Sequence, residues 1–296
     1  MTAGGPEHRP GSALELSSSP RQRVRFVYEK GEAIKFIGPK DEARAWERTL
    51  RRAGLPLLYK QGFNPQPHIQ FAAPLGLGMT GVREIVDVIF SPPVPVAELE
   101  RRIREKLPPG MRLIGLEEIP LKAPTLQSRT IGADYTLVIY ATLEELSSTQ
   151  VQAHLQGFLE AKAIWRTRVR KGRPYQYNLR PLVLELAYRG YDPEAEAHRI
   201  FLRVQMRPGA AGRPDEVVDA MGLGDFARTL RRERIYFAGE PADEAVFQAY
   251  PVVSQEAITR PMPDGPEPGS RRRSRKRAAR PKGLKSFAEK AADEFA

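Results

Sequence analysis

VRFVYEKGEAIKFIGPKDEARAWERTLRRAG, residues 24–54, decides how the rest of this chain is read. Residues 24–37 read as a strand with a Lys-Gly turn inside or beside it. A helix with clear punctuation comes next. Pro39 suits its first turn, Asp41 and Glu42 favour the positive N-terminal end, and Gly54 suits the cap at the other. Ala43, Trp46, Leu50 and Ala53 share one face at helical spacing, with Arg44, Arg48, Arg51 and Arg52 gathered roughly opposite.

Beyond this helix, IQFAAPL leads through a turn to REIVDVIF (83–90), a strand. VAELERRIREKL (96–107) is a second helix, and MRLIGLEEIP (111–120) closes the half as a strand. The order is β-α-β-β-α-β, the split βαβ arrangement of ferredoxin-like folds. It then recurs. DYTLVIYA (134–141) is a strand, a helix lies within 142–161, and strands follow at 163–169, 179–188 and 198–206. A short helix (213–223) and a strand within 228–239 complete the second set, with one extra strand elaborating its hairpin. No letter-by-letter repeat accompanies this duplication, which rests on element order. The expected fold class is therefore α+β, with two tandem ferredoxin-like (βαββαβ) domains at 22–122 and 134–245. Residues 123–133 would link them, 1–21 would be disordered, and 246–296 would be a disordered Pro-rich linker with a basic tail.

The composition narrows the chemistry. A hydrophobic share of 41% fills a core. No run of about 18 apolar residues asks for a membrane span, and the first residues lack a secretory pattern, so a cytoplasmic protein is expected. With no cysteine, this chain holds no disulfide, thiolate zinc site, cysteine nucleophile or iron–sulfur cluster. His8, His68, His154 and His198 stand apart, so neither a metal nor a cofactor is expected. Net charge is +11, and the stretch Arg271–Lys285 alone carries nine basic residues and no acid. Such a tail suits phosphate contact; it equally suits a solvated end.

YKQGFNPQPHIQFAAPLGLGM (59–79) is the most unusual segment. Pro65, Pro67 and Pro74 fix φ and extend the residues before them, while Gly62, Gly76 and Gly78 permit turns. The product is a stiff loop that loses little entropy on binding. Lys60, Gln61, Asn64, Gln66 and His68 offer polar edges, and Phe63 packs inward or stacks on a base. His68 also suits a general base for metal-free RNA cleavage, though no nucleophile–base–orienter set is visible by spacing. A second basic stretch, WRTRVRKGRPYQYNLR (165–180), interleaves Arg166, Arg168, Arg170, Lys171 and Arg173 with Trp165, Tyr175 and Tyr177. Alternate arginines of a strand project from one face, and cations among aromatics pair phosphates while stacking bases. Arg231 and Arg232 add a third cluster. The plainer reading is that these arginines line a solvated sheet edge.

Residues 35–79 followed by REIVDVIF resemble the radical-SAM-linked family of uncharacterised proteins. That family's Arg-Arg-Ala-Gly-Leu-Pro is matched by Arg51–Pro56, and its Tyr-x-Gln-Gly-Phe-x-Pro-x-Pro by Tyr59 with Gln61–Pro67. LKAP (121–124), the 167–183 stretch and the RRERIYF region extend the resemblance over about residues 22–240. One departure stands out: where members carry Ser-His-Leu-Asp, this chain has Gly38, Pro39, Lys40 and Asp41. The resemblance implies a link to a radical-SAM enzyme, and without cysteine this chain is not itself that enzyme. Paired ferredoxin-like domains also look like the CRISPR repeat-processing endonucleases, by fold analogy alone. The expected function is a non-catalytic accessory protein that presents RNA to, or docks on, a separate radical-SAM enzyme. A docking module that binds no nucleic acid and a metal-independent ribonuclease using His68 are the alternatives.

Overall fold

The computed structural model describes residues 20–261 apart from Lys171; the expected disorder of residues 1–19 and the basic tail from residue 262 lie outside that range. In β1 (Gln22–Lys30), Val24, Phe26 and Tyr28 are buried along one face, as a two-residue period dictates. The strand ends at Lys30, short of the expected 37, and a single 3-10 turn (Glu32–Ile34) leads on. Helix α1 (Pro39–Arg52) then buries Trp46 and Leu50, with the Trp46 ring 5.6 Å from Phe26 and 5.0 Å from Tyr28. Gly54, at φ 65°, turns the chain away in a conformation that strains any residue with a Cβ.

The first half continues with β2 (Ile69–Phe71), β3 (Met79–Phe90), α2 (Val96–Arg104) and β4 (Met111–Ile119). Its strands lie in the order β2-β3-β1-β4, all neighbours antiparallel. Opposite the apolar face, Arg23 and Arg25 close on buried Asp87 of β3 at 2.7 and 2.9 Å. After a short helix α3 (Leu126–Arg129), the second half runs β5 (Thr130–Tyr140), α4 (Ser148–Glu160), β6 (Trp165–Arg170), β7 (Arg173–Asn178), β8 (Val183–Asp192) and β9 (Ala197–Arg207). It finishes with β10 (Ala210–Ala211), α5 (Pro214–Ala220) and β11 (Ala227–Phe237). Four of these strands repeat the first half's arrangement, as β8-β9-β5-β11, again antiparallel throughout.

The fold is mixed α+β, but the halves do not hold separate sheets. The edge of β3 is shared: β2 pairs with Val86–Val88, while β11 runs parallel beside Met79–Gly81 through Leu230–Arg232. Pro67 and Pro74, each without an N–H to donate, bracket β2 and keep it to three residues, which leaves the start of β3 open to β11. One nine-stranded sheet results, with β10 and β8 both on β9. Leu75 and Met79 accordingly pack into the second half's core, among Leu137, Leu202 and Leu230.

Two expectations need correction. The extra hairpin β6–β7 does not join the main sheet; it forms a small sheet with β12 (Thr259–Pro261). The chain also stays packed beyond residue 245, through α6 (Pro241–Phe247) and α7 (Gln255–Ile258). Ile258 is buried in the second core, and the Gln205 amide closes two 2.8 Å bonds with the backbone of Val253, so this stretch satisfies its own polar groups.

Helix α4 starts on a capping box: Ser147 accepts from the Gln150 N–H, and the Gln150 side chain accepts from the Ser147 N–H at 2.7 Å. Ser147→Ala is expected to cost about 1 kcal/mol, read as a lower urea midpoint with an unchanged m-value.

Candidate nucleic-acid interface

Three and four residues apart on a helix is one face. On α1 that rule sets Lys40, Arg44, Glu47 and Arg51 on one stripe, with Arg48 alongside, well round from buried Trp46 and Leu50. Arg44, Arg48, Arg51 and Arg52 are all exposed, as a polar helix face requires. Arg44 pairs with Asp41 at 3.2 Å, and Arg52 swings away to the Lys106 carbonyl at 3.0 Å. Among the described residues, no carboxylate lies within 4.0 Å of Lys40, Arg48, Arg51 or Lys60.

The loop faces this stripe. Its foot is tied to the end of β3: the Leu58 N–H donates to the Ile89 carbonyl at 3.0 Å, and the Ile89 N–H to the His68 carbonyl at 3.1 Å. Tyr59 and Pro67 form a bridge, and Lys60 N–H donates to the Gln66 carbonyl at 2.8 Å. Gln61, Phe63, Asn64 and Gln66 are exposed at the tip, and Phe63 stands fully in solvent at 108% relative exposure. Sequence left Phe63 two roles, and the structure removes the inward-packed one. The Tyr59 hydroxyl donates to Glu47 at 3.4 Å, joining loop to helix. Burial first, then the Glu47 charge, raise the Tyr59 pKa. A groove lies on either side of this contact. One, of 370 Å³, is lined by Lys40, Arg44, Lys60 and Gln66; the other, of 690 Å³, by Arg51, Leu57 and Pro65.

His68 sits half-buried beneath the loop. Burial, then the charges of Lys60 and Arg21, hold its pKa below the ordinary histidine value, which leaves the ring neutral at pH 7. Among the described residues, its ring makes no hydrogen bond to an orienting acid, and no three His, Asp or Glu side chains gather as metal ligands.

The second basic stretch is placed differently. Arg166 and Arg168 do share a face of β6, opposite Tyr177 and Tyr175 of β7. That face turns towards α5, where Arg168 bonds Glu216 at 3.1 Å and Arg166 lies 3.8 Å from Asp219. Tyr177 is buried and donates to the same Glu216, and burial drives its pKa up. Arg168 stacks 3.9 Å from the Tyr177 ring, so these groups satisfy one another. Arg173 is exposed and Tyr175 half-buried at the far end of the hairpin; Lys171 lies outside the described residues. Arg231 is exposed but held by Glu233 at 2.7 Å. Arg232 is buried, with its guanidinium on Glu84 at 2.9 Å and on the Ala73 carbonyl. It is a strut of the sheet and meets no ligand.

Sequence reasoning missed Lys40 and Glu47. Both were legible, since they stand four before and three after Arg44 on one stripe. It also passed over a buried polar cluster. Lys30 and Glu42 are wholly enclosed 3.6 Å apart, Lys30 donates to the Ile37 carbonyl at 3.1 Å, and Tyr28 donates to Glu42 at 2.5 Å. Burial raises the Glu42 pKa while Lys30 and Tyr28 oppose it.

The model of a bacterial family described as "Uncharacterized protein conserved in bacteria (DUF2344)" matches residues 23–214, and the chain belongs to that family. No curated protein matches it. Among solved structures, it overlaps a chain of an H/ACA RNP bound to a substrate RNA containing 2'-deoxyuridine, at 10% identity and TM-score 0.34, over 72% of this chain and 47% of that one. The archaeal box H/ACA sRNP Nop10-Cbf5 complex gives 13% and 0.33, over 77% and 50%. Ferric DtpA from Streptomyces lividans gives 13% and 0.21, over 76% and 90%. This chain thus spans about half the length of the two H/ACA chains. Overlaps so loose, split between unrelated kinds of protein, assign it no activity.

Proposed function

We propose that this protein is a non-catalytic accessory factor, built of two ferredoxin-like halves on one sheet, that holds RNA for a separate radical-SAM enzyme. The observation that carries the RNA half of this reading is the cation stripe of α1. Lys40, Arg48 and Arg51, with Lys60 across the groove, point into solvent with no carboxylate partner among the described residues. Free cations of this kind release counterions when phosphates bind, whereas the paired Arg166 and Arg168 would first have to give up Glu216 and Asp219. The radical-SAM half rests on the resemblance over residues 22–240. With no cysteine among its 296 residues, this sequence supplies none of the thiolates that such an enzyme's cluster needs.

The test is RNA binding by the full chain across a salt titration, beside Lys40→Gln/Arg44→Gln/Arg48→Gln/Arg51→Gln. Among the described residues, Lys40, Arg48 and Arg51 are free and Arg44 is held only by exposed Asp41. Removing the four is therefore expected to weaken binding by about 10–100-fold and to flatten the log–log salt slope by about 2–3. Identical affinity and slope in the two proteins would remove α1 from the site and leave binding to the basic tail. The docking reading would then lead. Its support is an apolar spot at the junction of the halves, where Phe36 and Leu77 are 73% and 67% exposed beside Gly78 and Gly38.

A further inference from the structure

We infer that this face takes a single-stranded RNA segment of about three to four nucleotides, with one unpaired base stacked on Phe63. The inference rests on the RNA reading above and adds the class of RNA.

The helix sets the length. Lys40, Arg44, Arg48 and Arg51 succeed one another at steps of four, four and three residues, which is about 6 Å or less per step and about 16 Å in all. Successive phosphates of an extended strand are spaced like this, so a single strand laid along α1 meets Lys40, Arg44 and Arg51 along the stripe and Arg48 beside it. An A-form duplex would instead curve its phosphates away from a straight row.

The loop supplies the base contact. Phe63 is an apolar ring left wholly in water, at 108% exposure, on a tip that its neighbours hold still. The Tyr59–Pro67 bridge, the Lys60–Gln66 backbone bond and the tie of Tyr59 to Glu47 fix the loop against α1. Pro65 and Pro67 remove freedom that binding would otherwise have to freeze. The ring therefore contributes nothing to the fold and is already presented. In a duplex the base faces are covered by their neighbours, so only an unpaired base can use it. Gln61, Asn64 and Gln66, exposed beside the ring, carry the donors and acceptors that meet a base edge.

The groove below fits the same ligand. Its Lys40–Arg44–Lys60 section is cationic, while Glu47 and Tyr59 divide it from the Arg51 section. A backbone that crosses this divider keeps its phosphates on either side of the Glu47 carboxylate. A protein segment of acidic composition would meet the same cations but would gain nothing specific to an unpaired base.

The test compares an eight-nucleotide single-stranded RNA with the same sequence in a duplex, by anisotropy on the full chain. Phe63→Ala is expected to weaken single-strand binding about tenfold, with the salt slope unchanged because no cation is lost. Duplex binding should not move, and Phe63→Trp should restore or tighten the single-strand complex. Because the side chain touches nothing, the variant folds as the parent does. Equal losses on both RNAs, or none on either, would overturn the inference. If the four-cation variant loses affinity while Phe63→Ala does not, the RNA reading stands and the single-strand inference fails. If neither variant changes binding, both fall.

Discussion

Arg232→Met is expected to destabilise the protein by about 3–5 kcal/mol, because it strands a buried carboxylate. The two halves of the sheet meet along only three parallel register positions, Leu230–Arg232 beside Met79–Gly81. Side chains must therefore hold much of the seam. Arg232 comes from β11 and reaches Glu84 on β3 through both carboxylate oxygens, with Ala73 and Tyr135 accepting from two more of its donors. Both charged groups are almost wholly enclosed, at 2% and 3% exposure. Burial works against the Arg232 charge, but Glu84 and Tyr135 outweigh it and raise its pKa. Gly81 is part of the arrangement, since a Cβ there would strike the Glu84 side chain. Removing the guanidinium leaves Glu84 desolvated and unpaired, and leaves the Ala73 carbonyl without a donor. Removing both charges is different: Glu84→Gln/Arg232→Met should recover at least about half of the loss. Urea unfolding followed by Trp46 fluorescence in a Trp165→Phe background measures this. A loss below about 1 kcal/mol in the single variant, or no recovery in the double, would show that the pair does not hold the seam.

That seam was hidden in the sequence for a physical reason. Periodicity and punctuation are local, so α1 was readable from Pro39, Trp46, Leu50 and Gly54, and the repeated order of elements was readable too. The partner of a strand edge is not local. Nothing within RTLRRERIYF says that Leu230 will lie beside Met79, some 150 residues earlier in the chain. The same limit explains the fate of the arginines. By composition Arg166, Arg168, Arg231 and Arg232 are alike, but each one's role is set by an acid: Asp219, Glu216, Glu233 and Glu84 respectively. Two of these acids lie about 50 residues away and one lies 148. Arg44, Arg48 and Arg51 kept their solvent exposure because they share a helix whose other face is filled, and that much a sequence does show. The loop was legible as stiff, from its prolines, but its pairing across α1 through Tyr59 and Glu47 was not.

Lys30→Met should give a destabilisation that depends on pH. At pH 7.5 the loss is expected at about 3–5 kcal/mol, because Glu42 then lies buried without its cation. The wild-type carboxyl already has a raised pKa, from burial first, with Lys30 the largest influence opposing that shift. A group whose folded pKa is raised favours folding below its unfolded value, and that contribution is lost as pH rises through the folded pKa. Without Lys30 the folded pKa climbs further, so the window of loss widens upward from the ordinary glutamate range, about pH 4.5, towards neutrality. As pH falls the variant protonates Glu42 and sheds the unpaired charge, while Tyr28 remains in place as its hydrogen-bond partner. The gap to wild type should therefore shrink to about 1–2 kcal/mol by pH 5, since each unit of pKa difference is worth about 1.4 kcal/mol. Lys30→Met/Glu42→Gln removes the titrating group, so its gap to wild type should not widen between pH 5 and 7.5. Urea midpoints at pH 5, 6 and 7.5 decide it. A gap for Lys30→Met that does not change with pH would mean that Glu42 is not the group left exposed to the loss. Because Lys30 bonds the Ile37 carbonyl immediately before α1, this pair also fixes the entry of the helix that carries Lys40, Arg44 and Arg51. At pH 7.5 and in urea too weak to unfold it, the variant should then lose RNA affinity with no cation of that stripe removed.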